Sequence, residues 1–210
     1  MDWLPKDPRI AEELLRLHDA DARSTAERRA RGGFKPEENT DDIVRLGSEY
    51  LALSPEEGRF VYMMAMGAKA RTVVEFGASF GISTLYFAAA LKETGGRLIT
   101  TEVHPDKCAA LRDTFARAGV EYIVTLLEGD ARETLRQVKG PVDVLFLDGW
   151  KSMYLPVLDL LTPALRPGAM VIGDNLDHGS AQPYADHVSD PANGFLTQIL
   201  GRTGLSVKLA

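Results

Sequence analysis

Arg71-Thr-Val-Val-Glu-Phe-Gly77-Ala-Ser-Phe-Gly81-Ile-Ser83 decides the fold. Arg71–Phe76 is a short β-branched run that stops on a glycine, the signature of a strand. From Ile82 to Lys92 the spacing turns helical, and Gly95-Gly96 ends it. A strand running through a glycine loop into a helix is the opening unit of a parallel α/β sheet, whose ligands bind at the carboxyl edge of the strands. The loop fits neither common phosphate pattern. A dinucleotide fingerprint needs glycine where Glu75 stands, and a phosphate-cradling loop needs Gly-Lys-Ser/Thr after four intervening residues. Glu75 would repel a pyrophosphate and suits an ammonium or sulfonium ligand instead. Gly77 is expected to let a ligand approach the backbone, and Gly81 to permit a tight start to the helix.

Downstream, strand and helix keep alternating. Arg97–Glu102 is a strand, Pro105–Ala118 a helix closed by Gly119, Tyr122–Leu127 a strand and Ala131–Val138 a helix. Val142–Leu147 (VDVLFL) is nearly continuous in apolar residues, as a strand covered on both faces should be. Met153–Leu165 is a helix stopped by Pro167-Gly168, and Ala169–Gly173 a fifth strand. This order predicts a doubly wound parallel α/β sheet with right-handed crossovers and helices on both faces. A short helix is expected near Gln182–Val188. The tail admits two readings: edge strands at Leu196–Leu200 and Leu205–Leu209 around the turn Gly201–Gly204, or a helix over 195–202.

Upstream, Ser54-Pro55-Glu56-Glu57 is a helix start with Ser at the cap, Pro next and Glu three residues on. Its helix should reach Ala68. Residues 8–31 read as a polar helix with apolar Ile10, Leu14, Leu15 and Leu17, followed by a loop over 32–40 and a short helix over 41–50. The chain therefore divides into an N-terminal helical extension, 1–53, and a main domain, 54–210. The extension is expected to serve as substrate cap or as the contact of a homodimer.

Composition narrows the function. The 210 residues are 45% hydrophobic and 26% charged, as in a soluble globular protein. The formal net charge of −6 argues against an electrostatic grip on nucleic acid or anionic membrane. No apolar run approaches the roughly 20 residues that span a bilayer, and the N-terminus lacks the apolar core of a signal peptide. The single cysteine, Cys108, excludes an internal disulfide and a multi-cysteine zinc site. It fits the cytoplasm, and the thiol is expected to be inert and partly buried. A small-molecule partner is the expectation.

Polar residues cluster at the predicted strand ends. Glu102 stands 25 residues after Gly77, where an acidic residue takes a ribose diol in nucleotide-binding sheets. Glu128-Gly129-Asp130-Ala131 follows the third strand, where Asp130 suits an adenine amino group, the N-cap of the next helix, or both. Asp148-Gly149-Trp150-Lys151 follows the fourth strand and Asp174-Asn175 the fifth. Adjacent parallel strands let Asp148, Asp174 and Asn175 converge. Two carboxylates and an amide form a hard-oxygen set that suits Mg²⁺, or less selectively Ca²⁺ or Mn²⁺, rather than zinc. Each of these residues is also ordinary turn or cap chemistry when taken singly. Trp150 either walls an adenine or packs the core. His104 reads as solvated, His178 and His187 as lone histidines near the site, and Arg28–Arg31 as a solvated helix face.

The order Glu75-x-Gly77-x-x-x-Gly81, Glu102, Gly129-Asp130 resembles the class I S-adenosylmethionine-dependent methyltransferases. The stretch Leu53-Ser-Pro-Glu-Glu-Gly-Arg-Phe60 and the pattern Asp148-x-x-Lys151-x-x-Tyr154 with Asp174-Asn175 resemble their cation-dependent catechol and caffeoyl-CoA O-methyltransferase branch. The likeness runs from about Ser54 to Asn175. It implies a seven-stranded Rossmann-like sheet with its last strand antiparallel, and S-adenosylmethionine and Mg²⁺ or another divalent cation as cofactors. It also implies methylation of a hydroxyl on a small catechol-like acceptor. At the methyl donor it places Glu75, Gly77, Ala78, Ser79 and Ser83 from the first loop and Glu102 and Val103 from the second. Gly129, Asp130 and Ala131 from the third loop and Asp148 and Trp150 from the fourth join them. It makes Asp148, Asp174 and Asn175 metal ligands and gives catalysis to Asp148 and Lys151, with Lys151 the general base. A lysine has an ordinary pKa of about 10.4 and needs cationic surroundings to serve so. The rivals are a metal-independent methyltransferase acting on another atom and a non-catalytic nucleotide-binding module on the same fold. A nicotinamide dehydrogenase is opposed by Glu75.

Overall fold

The computed structural model describes residues 3–32 and 49–210. The expected loop at 32–40 and helix at 41–50 lie almost entirely outside the described residues; Glu49 and Tyr50 carry no helix. Strands β1 (Thr72–Phe76), β2 (Arg97–Glu102), β3 (Val124–Glu128), β4 (Val142–Leu147), β5 (Leu165–Gly173), β6 (Phe195–Leu200) and β7 (Thr203–Lys208) form one sheet in the order β3-β2-β1-β4-β5-β7-β6. All neighbours through β5 pair in parallel, and β7 runs antiparallel to both β5 and β6. The hairpin reading of the tail holds and the helical one fails. Leu200 pairs with Thr203 across a two-residue turn whose first member, Gly201, has φ 62°, the positive φ that such turns need.

Helices α1 (Pro8–Ala30), α2 (Pro55–Gly67), α3 (Ile82–Thr94), α4 (Pro105–Ala118), α5 (Ala131–Thr134), α6 (Tyr154–Leu161) and α7 (Gln182–Ser189) cover the two faces. One core joins Ile10, Val61, Leu85 and Leu111 from α1 to α4 with Val73 and Leu98 of the sheet. The other joins Ala131, Leu158 and Val188 from α5 to α7 with Val74 and Leu145. Neighbouring residues Val73 and Val74 thus serve opposite cores, as the two-residue period of a strand requires.

Several boundaries differ from expectation; β3, for one, begins at Val124 and not at Tyr122. The helix expected at 131–138 is one α turn followed by a 3-10 turn, Leu135–Gln137. The helix expected from Met153 ends at Leu161, preceded by a 3-10 turn at Lys151–Met153. β5 begins at Leu165 and runs through Pro167-Gly168, read in the sequence as a stop; both are exposed where the register with β4 jumps. A bulge tolerates a proline that cannot donate to the ladder. In α1, Ile10, Leu14 and Leu17 are buried while Leu15 is 44% exposed; positions 10, 14 and 17 share one helix face, and 15 lies off it. Arg117 holds the buried Glu13 through both carboxylate oxygens, fixing α1 to α4. Among the described residues no helix is long and apolar enough to cross a membrane.

Register builds the functional edge. Phe76 pairs with Leu147, and Leu147 with Gly173. The residues one step beyond, Gly77, Asp148 and Asp174, therefore stand in a row, tied by Asp148 N–H to Phe76 O at 2.9 Å and Asp174 N–H to Leu147 O at 3.0 Å. Glu102 pairs with Glu128 in the same way, and Gly129 N–H reaches Glu102 O.

Candidate active site

A cavity of about 680 Å³ opens over this carboxyl edge, a size suited to a small-molecule ligand. Gly77, Ser79, Glu102, Val103, Gly129, Asp130 and Ala131 line it, as do Asp148, Trp150, Lys151, Asp174 and Asn175. Three expected donor-site residues do not. Ala78 and Ser83 border a smaller crevice beside Gly77, and Glu75 lies beneath the floor, fully buried.

Glu75 Oε2 accepts hydrogen bonds from the Thr84 and Thr100 hydroxyls, each at 2.6 Å, while its Oε1 is buried without a bond among the described residues. Burial pushes this carboxyl above the usual range, against the opposing pull of the Ser83, Thr100 and Thr84 hydroxyls. A buried acidic oxygen lacking a donor is a fitting neighbour for a cationic ammonium group. Gly77 has φ 98°, and a Cβ there would lie 2.7 Å from the Gly149 backbone. Close packing against the loop after β4 is thus one constraint on this position, beside the expected approach of a ligand.

Glu102 is more occupied than a free diol acceptor. Its Oε2 takes Ser79 N–H at 2.9 Å, and its Oε1 takes Val103 N–H at 2.8 Å and His104 N–H at 2.9 Å. Asp130 caps α5 through Arg132 N–H and also pairs with the Arg132 guanidinium at 2.6 Å. Trp150 is half-buried on the cavity wall and outside both cores.

On the far side, Asp148 and Asp174 face Lys151 and Arg202. Lys151 Nζ donates to Asp148 Oδ1 at 3.1 Å and lies 5.2 Å from the Tyr154 ring centre. Burial lifts the Asp148 carboxyl to about 7; Lys151 opposes the rise and Asp174 adds to it. Asp174 is raised too, chiefly by burial, with Arg202 opposing at 3.8 Å. Thr203 donates to Asp174 Oδ1 at 3.2 Å. Asn175 takes a left-handed φ of 55°, a turn that asparagine tolerates and that leads the chain out of β5. Among the described residues no three His, Cys, Asp or Glu side chains are placed to hold a metal ion. The expected set has only two carboxylates, completed by an amide. Two largely buried carboxylates, of which Asp174 raises Asp148, together with the Asn175 amide are a donor set that suits a hard cation.

Several cavity residues gave no signal in the sequence. Lys107 is 6% exposed and its ammonium is pulled down by burial, with Glu102 and Glu49 opposing. Asp21, Thr25 and Arg28 reach the cavity from α1, and Arg202 reaches it from the β6–β7 turn. Arg28 is no solvated face: it donates to Tyr50 O at 2.9 Å and pairs with Glu49. His104 is not solvated; it caps α4, accepting from Asp106 N–H. His178 caps the turn at Gly179–Ala181 and lines the cavity, whereas His187 packs near Phe195 away from it. Cys108 is buried, with its thiol pushed up to about 11 by burial, as an inert thiol should be.

A family model described as a methyltransferase domain matches residues 74–176. A catechol O-methyltransferase from Niastella koreensis is 31% identical over 155 residues, covering 69% of this chain and 70% of that protein. The chain belongs to the S-adenosylmethionine-dependent O-methyltransferases. A catechol O-methyltransferase from Mycobacterium tuberculosis is 32% identical over 130 residues, 61% of this methyltransferase and 59% of that protein. Against that relative and the one from Danio rerio (58% covered), the match spans less than two thirds of their length. In fold the methyltransferase is similar to the O-methyltransferase of Bacillus cereus, solved with S-adenosylhomocysteine (TM-score 0.68, 20% identity, covering 90% of this chain and 99% of that one). It is equally similar to TomG of Streptomyces achromogenes (TM-score 0.68, 21% identity, covering 91% and 90%).

Proposed function

We propose that this enzyme methylates one hydroxyl of a small catechol-like acceptor with the help of a divalent cation, Mg²⁺ being the first candidate. The observation that carries the reading is the meeting of Asp148, Lys151, Asp174 and Asn175 on one wall of the cavity, at the ends of adjacent strands. Asp148, Asp174 and Asn175 would hold the cation, which when bound supplies Lewis acidity to a coordinated hydroxyl. S-adenosylmethionine supplies the electrophilic methyl group.

The chain's own residues do the rest. The Gly77 loop offers backbone groups for the amino-acid end of the donor, and the buried Glu75 carboxyl beneath it favours a cationic group there. Glu102 faces the ribose, and Trp150 with Asp130 the adenine. Ser79, Val103, Gly129 and Ala131 shape the same pocket, and Ala78 and Ser83 stand behind it at the crevice beside Gly77. Lys151 Nζ accepts the hydroxyl proton, and to do so it must be neutral and release Asp148. Asp21, Thr25 and Arg28 of α1, with Tyr50 and Leu51, wall the cavity, which supports the extension as a substrate cap. Holding the reactants in line accounts for most of the acceleration.

A metal-independent reaction has one observation in its favour: Lys151 and Arg202 already give each carboxylate a cationic neighbour. The deciding experiment is turnover of a catechol panel in exhaustively chelated enzyme, with Mg²⁺ then restored. Inhibition and recovery support the cation; unchanged turnover overturns it.

A further inference from the structure

Among the described residues Lys107 is a buried cation with no carboxylate in salt-bridge contact. It projects from the first turn of α4 into the cavity, and its side chain is among the few buried charges of the molecule. Among the described residues its Nζ makes one hydrogen bond, to Ser79 Oγ at 3.2 Å, and it lies 5.4 Å from the Phe80 ring centre. Among the described residues no carboxylate pairs with it. An ammonium carries three donors, so beyond the Ser79 hydroxyl and the Phe80 ring two have no hydrogen-bond acceptor among the described residues. Leaving charged donors unmet in a buried place is costly.

Ser79 also links this lysine to Glu102. Ser79 N–H donates to Glu102 Oε2 at 2.9 Å while Ser79 Oγ accepts from Lys107. The acceptor carboxylate and the donor ammonium therefore flank one residue without closing on each other. A carboxylate offers about four acceptor sites, and three backbone N–H groups already occupy those of Glu102. Glu102 can then take about one hydroxyl more, whereas a ribose presents two. A hydroxyl can also accept, and the two idle donors of Lys107 are the complementary partners.

We propose that Lys107 is a second ribose-binding residue, donating to a hydroxyl oxygen of the methyl donor's ribose beside Glu102. The inference rests on the donor occupying this cavity. Charge and hydrogen bond together make the residue a cofactor-binding group outside the family pattern read in the sequence.

The test is calorimetry with S-adenosylhomocysteine and its 2′-deoxy and 3′-deoxy analogues on the full chain, for wild type, Lys107→Met and Lys107→Arg. Lys107→Met should weaken S-adenosylhomocysteine by about tenfold or more, the scale of a hydrogen bond to a charged group. Lys107→Arg, which keeps a donor, should recover part of that. One deoxy analogue should bind wild type more weakly than the parent yet lose little further in Lys107→Met, since the partner hydroxyl is already gone. Equal losses for all three ligands in Lys107→Met, or unchanged affinity, overturn the proposal. So does a wild type indifferent to both deoxy analogues, a result that needs no variant to fold. Failure of wild type to bind S-adenosylhomocysteine at all would instead remove the donor from the cavity, and this proposal with it.

Discussion

Lys151 Nζ sits 3.1 Å from Asp148 Oδ1, three residues back in sequence, with both side chains largely buried. A lysine held this way is a proton donor, so its service as a base requires that the pair open when the acceptor arrives. If it is the base, Lys151→Met should lower kcat by roughly 10²–10⁴, the usual loss for a general base. Donor affinity should change little, because the lysine acts on the acceptor. Activity should partly return at high pH, where the acceptor is already deprotonated. A kcat near wild type at neutral pH, with chemistry limiting, would make Lys151 a bystander.

Asp174→Ala and Asn175→Ala should each greatly reduce turnover while S-adenosylhomocysteine affinity stays near wild type. The two residues leave β5 beside the loop after β4, away from the residues around Glu102 at the end of β2. Calorimetry and a Mg²⁺ titration of activity separate the two effects. A variant that loses donor binding along with turnover would show that these residues hold the loop rather than a cation.

The sheet was legible because its strands are short, β-branched or continuously apolar and separated by helical periods; β2 and α4 fall on their expected bounds. The site residues at strand ends were legible for the same reason, since a strand end fixes where the next side chain stands. What stayed hidden depends on long-range packing. Lys107 looks like any polar residue in a first helical turn, and only the fold turns it inward beside Ser79. Arg28 looks solvated until Tyr50 is brought against it. Arg202 sits in a hairpin turn, yet its guanidinium pairs with Glu57 at 2.8 Å, 145 residues away. Pro167-Gly168 misled because local turn chemistry reads as a stop, whereas a bulge in β5 absorbs it.

Glu102→Ala should weaken S-adenosylhomocysteine by about 1–3 kcal/mol, the range for losing a bond to a charged acceptor. The same change frees three backbone N–H groups, of Ser79, Val103 and His104. A loss of thermal stability should therefore accompany it. Glu102→Gln keeps acceptor capacity and should fall between. Unaltered affinity in Glu102→Ala would move the ribose elsewhere.

Gly77→Ala should destabilise the folded chain as well as impair donor binding. The left-handed φ of 98° and the 2.7 Å approach of a Cβ to the Gly149 backbone both oppose any side chain there. Calorimetric unfolding should show a lower Tm even without ligand. A variant with wild-type Tm and lost binding would show that only the ligand demands glycine at this position.

Asp143, in β4 at the edge of the sheet opposite the cavity, sets an acid limit to stability. It accepts N–H groups of Arg71 and Thr72, both at 2.8 Å, and Arg166 Nε at 2.5 Å. Burial alone would raise its carboxyl, but the Arg166 guanidinium and the two N–H groups outweigh burial and hold it below the usual range. A group depressed in the folded state stabilises fully above its unfolded pKa of about 3.9, and that share is lost as pH falls through the folded value. Asp143→Ala should cost about 1–3 kcal/mol at neutral pH by leaving buried N–H groups unmet. The deficit relative to wild type should begin to shrink as the pH falls below about 4, where the unfolded chain takes up the proton first, and should close once the pH has passed through the lower folded value. Urea unfolding at pH 7 and pH 3 measures both. A deficit of equal size at the two pH values would mean that Asp143 acts through shape and packing, not through its charge.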